Sequence, residues 1–223
     1  VDGYFKTDEE ARNYKVDQSF VNQMINASAL DNGLHAGDLK FVDLDGNNKI
    51  EQTTSANDRK DMKVIGNSLP RYNYNLGISA DWYGIDFSVL FQGIGKQNWY
   101  PGAETSMFWG PYSRPYASFI PSDFMSQVWS EENSNAYFPR PRGYVALGSN
   151  RELAVVNTKY LQNLAYCRLK NLSIGYTLPD KWLSKIGFEK IRVYFSGENL
   201  LTFTKLHSDY IDPEQASASN SWK

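Results

Sequence analysis

The chain of 223 residues has one cysteine, two histidines and no apolar run approaching 18 residues. Each shortage excludes something. Cys167 has no internal partner, so no disulfide framework holds the fold. It stands in a strand-like run and reads as a packed apolar thiol. His35 and His207 are isolated in loop-like contexts, too few for a histidine-based metal site. Without an apolar stretch of about 20 residues there is no transmembrane helix. The net charge of −2 supplies no basic field to attract nucleic acid, so no nucleic-acid partner is expected. HExxH, GxSxG, CxxC and phosphate-loop motifs are missing, and "GIGKQNW" (93–99) lacks the spacing of a glycine-rich nucleotide site. The adjacent acids Glu131–Glu132 and Asp8–Glu9–Glu10 read as solvated charge, not as acid–base pairs.

What the sequence does have is aromatic residues, 15% of the total. Yet the mean hydropathy is only −0.53. Alternation reconciles the two, because a strand with one apolar face has half the hydropathy of a buried helix. From Arg71 to Trp82, Tyr72, Tyr74, Leu76, Ile78, Ala80 and Trp82 alternate with Asn73, Asn75, Gly77, Ser79 and Asp81. After Tyr83–Gly84 the pattern resumes, with Ile85, Phe87, Val89 and Phe91 against Asp86, Ser88 and Gln92. Two further runs follow, "AYCRLKNLSIGYTL" and "KIRVYFSGEN". The spacing predicts antiparallel strands at about 71–82, 85–93, 165–178 and 190–199, in an all-β protein. The turn at 82–84 and the connector "PDKWLSKIGF" (179–188) are short. The segments 1–69, 94–164 and 205–223 are long, with one short helix expected within 8–30. Short turns at one end and long loops at the other fit a transmembrane β-barrel with extracellular loops. Trp82, Tyr83 and Trp182 would then lie in an aromatic girdle. The apolar set, with Leu172, Ile174, Ile191, Val193 and Phe195, would face lipid, and the polar set, with Ser173, Arg192, Ser196 and Glu198, the lumen.

Two clusters are candidates for chemistry. In "DLDGNNKIE" (43–51), Asp43, Asp45 and Asn47 fall at positions 1, 3 and 5 of an EF-hand-type loop. Lys49 would offer its carbonyl at position 7, and Asp58 or Glu51 a further oxygen, so the 43–58 loop is a candidate calcium site. Asn48 stands where such loops have glycine, and Thr54 at position 12 is not an acid. The competing reading is a polar turn held by Asx hydrogen bonds. The second cluster is aromatic: Trp99, Tyr100, Trp109, Tyr112, Tyr116 and Trp129 in long loops. Such faces suit a sugar, a peptide or a protein partner; the alternative is a loop core packed on itself.

Five stretches occur in a familiar order: "GDLKFVDLDGNNKIE", "IGNSLPRYNYNLGISADWYGIDFSVLFQG", "VWSEENSNAYFPR", "YLQNLAYCRLKNLSIGYTLP" and "IRVYFSGENLLTFTK". Together they resemble the C-terminal barrel region of SusC/RagA-type TonB-dependent outer-membrane transporters of Bacteroidota. The resemblance covers nearly the whole chain, residues 1–223. It implies part of a 22-stranded barrel closed by an N-terminal plug, with the plug, most strands and the final strand lying outside this chain. It implies import of oligosaccharides or peptides across the outer membrane, with a SusD-like surface lipoprotein as lid and TonB acting through the plug. It implies no enzyme. Two other readings compete on the residues alone. A soluble extracellular β-sandwich binding glycans would cover its apolar faces with a second sheet and show more strands. A glycosidase would need two carboxylates at a defined separation, which no pattern here places.

Overall fold

A computed structural model describes residues 1–21, 33–53, 55, 57–113, 120–149, 151–184 and 187–216. The strands are β1 (Arg71–Trp82), β2 (Ile85–Lys96), β3 (Asn98–Trp99), β4 (Gln162–Asn163), β5 (Tyr166–Thr177) and β6 (Arg192–Thr204). The helices are α1 (Asp8–Arg12), α2 (Ser106–Trp109) and α3 (Asp180–Leu183). Contacts divide the chain into two units. A loop unit gathers residues 1–66, 100–161 and 208–223, and a sheet unit gathers 67–99 and 162–207.

The sheet unit is an antiparallel sheet in the order β1-β2-β5-β6, with β3 and β4 as a separate two-residue ribbon. Its register explains the alternation. Ala80, Phe87, Ile174 and Phe195 stand in one cross-strand row, and Trp82, Ile85, Tyr176 and Val193 in another. The intervening row is Asp81, Asp86, Gly175 and Tyr194, and four serines, Ser79, Ser88, Ser173 and Ser196, form the next polar row. Neighbours in a row share a face, so one face is apolar and the other polar, as the period of two requires. Leu90, opposite Gly77 and Asn171, and Tyr194 are exceptions on the polar face; the Tyr194 ring is covered in part by the Arg192 guanidinium at 4.8 Å.

Local chemistry sets the ends. Tyr83 and Gly84 both have positive φ, 46° and 84°, which is the two-residue hairpin turn that matches strand twist. A Cβ on Gly84 would lie 2.9 Å from the Thr177 carbonyl oxygen, while the Gly84 carbonyl accepts Thr177 N–H at 2.7 Å. Gly175 leaves room for Arg192 to reach Asp86 across it, with Nε–Oδ1 at 2.8 Å. Gly93 leaves room for the Tyr74 phenol, which donates to the Tyr166 carbonyl at 2.9 Å.

β2 and β6 run further than the alternation indicates, to Lys96 and Thr204. The reason in β6 is a bulge: the register shifts between Leu169 and Asn171, opposite Asn199 and Leu200, and Asn199 takes a φ of 52°. Beyond it Leu201 and Phe203 pair with Leu169 and Cys167 and continue a strand. Lys170 is likewise left out of the β2–β5 register.

The loop unit has little regular structure but a continuous interior. Thr7 caps α1, accepting Glu10 N–H at 3.1 Å, as serine and threonine do at helix starts. The helix expected within 8–30 is this five-residue turn, followed by a 3-10 turn at Ser19–Val21; the rest of that expectation lies outside the described residues. Tyr4, Leu39, Phe41, Ile50, Phe108, Trp109, Tyr112, Phe124, Phe138 and Tyr160 are buried together. Phe138 is the hub. It stacks on Phe124 at 4.7 Å and meets Phe108 and Tyr137 edge-on at 5.6 and 5.0 Å, the arrangements that aromatic quadrupoles favour.

Candidate functional site

The loop aromatics singled out by the sequence divide on inspection. Trp109 and Tyr112 are at most 1% exposed and Trp129 is 8% exposed. Trp109 donates its indole N–H to the Pro101 and Gly102 carbonyls at 3.2 and 3.1 Å. The Tyr112 hydroxyl donates to the Pro139 carbonyl at 2.6 Å, and the Tyr100 hydroxyl to the Leu153 carbonyl at 2.8 Å. Burial raises the phenol pKa of Tyr4, Tyr100, Tyr112 and Tyr160, which therefore stay neutral donors. The Trp129 ring packs over Gly37, where any Cβ would overlap it. Trp99 is buried in the sheet unit, in the β3–β4 ribbon. Tyr116 lies outside the described residues. Trp109, Tyr112 and Trp129 are interior, so the alternative of a self-packed loop core describes these three. Tyr100, Trp109 and Tyr112 each carry a polar tip that finds a nearby carbonyl, and that lets aromatic residues fill a core built from irregular chain; the Trp129 indole N–H is buried without such a partner.

The acidic turn is real, with a different membership. Carboxylate oxygens of Asp43, Asp45 and Asp61 lie within 4.8 Å of one another. Asp61 replaces the expected Asp58, whose carboxylate instead faces Lys60 at 3.5 Å. The cause is backbone geometry. Asp61 accepts Leu44 N–H at 2.6 Å and Glu51 N–H at 2.7 Å, bridging both arms of the turn. Asp43 accepts Gly46 and Asn48 N–H, both at 2.7 Å. Desolvation opposes the Asp43 charge, and those donated N–H groups outweigh it, holding its pKa below the usual carboxylate range. Asn47 does not present its carbonyl as expected of a ligand. It accepts Lys49 N–H at 2.8 Å, while its amide faces Asp45 and Glu51 at 3.3 Å. The Lys49 ammonium pairs with Glu51 at 3.0 Å. Asn48 has a φ of 61°, so it takes the left-handed backbone for which such loops use glycine. The turn is thus an Asx-stapled loop that also brings three carboxylates together.

Beside this turn a cleft of about 640 Å³ opens within the loop unit. Phe41, Ile50 and Val155 form part of its wall, with Glu51, Asp61 and Lys63 as charged members. Val42, Leu44, Met62 and Val156 line it and are 41 to 58% exposed. The sequence reading missed this surface, because its aliphatic residues come from separated segments with no shared period.

TonB-dependent receptor P3 of Formosa agariphila is 34% identical over 176 residues, 78% of this chain. TonB-dependent receptor P26 of the same organism is 27% identical over 192 residues, 85% of this chain. The chain belongs to the TonB-dependent receptors. Its five-motif resemblance to the SusC/RagA type agrees with that membership. The chain spans 15 and 17% of the length of these two relatives. No family model matches it. Two structures of the RagAB peptide importer, in the open-open and closed-closed states, are each 23% identical with a TM-score of 0.47, and cover 74% of this chain and 16% of theirs. The relatives are named as receptors, not as enzymes.

Proposed function

We propose that this receptor segment supplies four wall strands and outer loops to a 22-stranded outer-membrane barrel of the SusC/RagA type. The whole receptor would import oligosaccharides or peptides. TonB would drive it through a plug elsewhere in the protein, and a SusD-like lipoprotein would close it from outside. The observation that carries the reading is the uncovered apolar face. Leu76, Ile78, Val193 and Phe195 are 50 to 64% exposed on strands whose other face pairs serines, Asp86 and Arg192. A soluble sandwich would bury that face against a second sheet. Lipid removes the need, since it is itself the apolar phase, while the strands satisfy their backbone groups laterally. Trp82, Tyr83 and Trp182 are 62 to 88% exposed near the turn ends of the strands, as an interfacial girdle would have them.

Within the loops, the contact surface for the lid or substrate is the aliphatic cleft, with the aromatics as its foundation. Met62→Arg or Val156→Arg in the full-length receptor should impair lid association or uptake while leaving assembly intact. Deletion of 100–120 should remove the foundation and both activities. Normal uptake and lid binding in all three variants would reject this assignment. For the acidic turn we propose calcium as the cation, held by Asp43, Asp45 and Asp61, whose compact oxygen cluster is the supporting feature. Titration calorimetry of the receptor and of Asp45→Ala should show binding heat only in the former; identical traces would end that proposal.

A further inference from the structure

The loop unit also encloses four charged side chains that neither the cleft nor the acidic turn uses: Asp38, Arg140, Arg142 and Glu152. The Asp38 side chain is fully buried. It accepts Arg140 Nε at 2.6 Å, the Arg142 guanidinium, and the His35 backbone N–H at 2.9 Å. The Glu152 side chain is 1% exposed. Arg142 Nε lies 3.3 Å from Glu152 Oε1, but neither carboxylate oxygen of Glu152 nor that Nε makes a hydrogen bond. One guanidinium thus faces two buried carboxylates, and Asp38 holds it. Arg142 follows two residues tied to other segments. Arg140 N–H donates to the Gly37 carbonyl at 3.0 Å, and the Pro139 carbonyl accepts the Tyr112 hydroxyl.

A buried carboxylate with no well-formed side-chain hydrogen bond strongly disfavours its charged form. Desolvation pushes Glu152 up to about 7, against the opposing pull of Arg142, its own backbone N–H and Arg151, and with the help of Asp38. The other titratable groups here are accounted for. The His35 ring faces Asp8 at 3.7 Å, and Tyr112 remains a neutral phenol.

We infer that Glu152 is a proton-operated switch of the loop unit: protonated, it leaves Arg142 with Asp38 and the 139–149 segment on the 33–41 turn, and ionised, it competes for Arg142 and loosens that segment from the turn. The direction follows from linkage. The folded-state value lies above the ordinary 4.5, so this contribution is complete below about pH 4.5 and is lost as pH rises through about 7.

Segment-resolved hydrogen exchange on the full-length receptor, at pH 6 and pH 8 with intrinsic rates corrected, tests this. Residues 33–41 and 139–149 should exchange up to about tenfold faster at pH 8, the population ratio expected for one proton with a pKa near 7. Glu152→Gln cannot ionise and should show no such difference, although His35 and Asp38 are unchanged in it. Unchanged exchange in the wild type, or the same pH dependence in Glu152→Gln, overturns the switch. Should the variant not assemble, difference infrared spectra of the wild type decide. Loss of a protonated buried-carboxyl band between pH 6 and 8 supports the switch, and absence of that band overturns it.

Discussion

The sheet unit and the loop unit place the same kinds of residue in opposite directions. On the sheet, Leu76, Ile78, Val193 and Phe195 point outward, while Asp86 and Arg192 pair on the other face. In the loops, Phe108, Trp109, Tyr112 and Tyr160 are at most 1% exposed. Apolar surface goes wherever water is absent. On the proposed reading the loop unit stands in water and must make its own dry interior. The sheet would face lipid and need none, its side-chain pairing lying on the wet face instead. The contrast teaches that exposure alone is ambiguous: exposed aliphatic residues on the sheet mark a solvent boundary, and buried aromatics in the loops mark a scaffold.

Trp109→Ala should do the most damage, about 3–5 kcal/mol for a fully buried aromatic. The loss should stay local. Limited proteolysis should cut within 100–161 of the full-length receptor while strands 71–96 and 166–204 remain protected. Loss of the strands as well would mean that the two units do not divide as described. Ile78→Arg, on the uncovered apolar face, should cost about 2–4 kcal/mol near the bilayer midplane. Ser79→Arg, its neighbour on the other face, should cost far less. Urea unfolding from lipid vesicles measures both, and equal costs would erase the difference between the faces. Gly84→Ala forces a side chain into a left-handed turn and against the Thr177 carbonyl, which should cost about 1 kcal/mol or more in the same assay. The smallest effect belongs to Asp86–Arg192. Both side chains are about a third exposed, so solvent screens the pair, and a double-mutant cycle should return the weakest coupling of the set.

The sheet was legible because its period is two and its faces meet different surroundings. β1 was read to the residue, and the hairpin turn followed from Tyr83–Gly84. The far half of β6 was hidden, because the bulge at Asn199–Leu200 shifts the alternation and makes Leu201 and Phe203 look like the end of a strand. The loop unit was less legible. Nothing local in Trp109 or Tyr112 says whether an aromatic ring in a glycine- and proline-rich loop is a platform or a core; only the distant Phe138 and Tyr160 decide it. The acidic turn was seen, but counting along an EF-hand spacing stopped at Asp58, three residues before the Asp61 that closes it. Glu152 gave no signal at all, since its environment is assembled from segments more than a hundred residues apart.

Spin labels placed singly along β1 and β2 of the full-length receptor in liposomes test the central claim most directly. The accessibility of each label to oxygen, which partitions into lipid, is compared with its accessibility to a water-soluble nickel chelate. The account predicts a strict alternation: positions 76, 78, 87 and 89 reached by oxygen, and 75, 79, 86 and 88 reached by the chelate. No alternation, or the reverse assignment of the two sets, would contradict it.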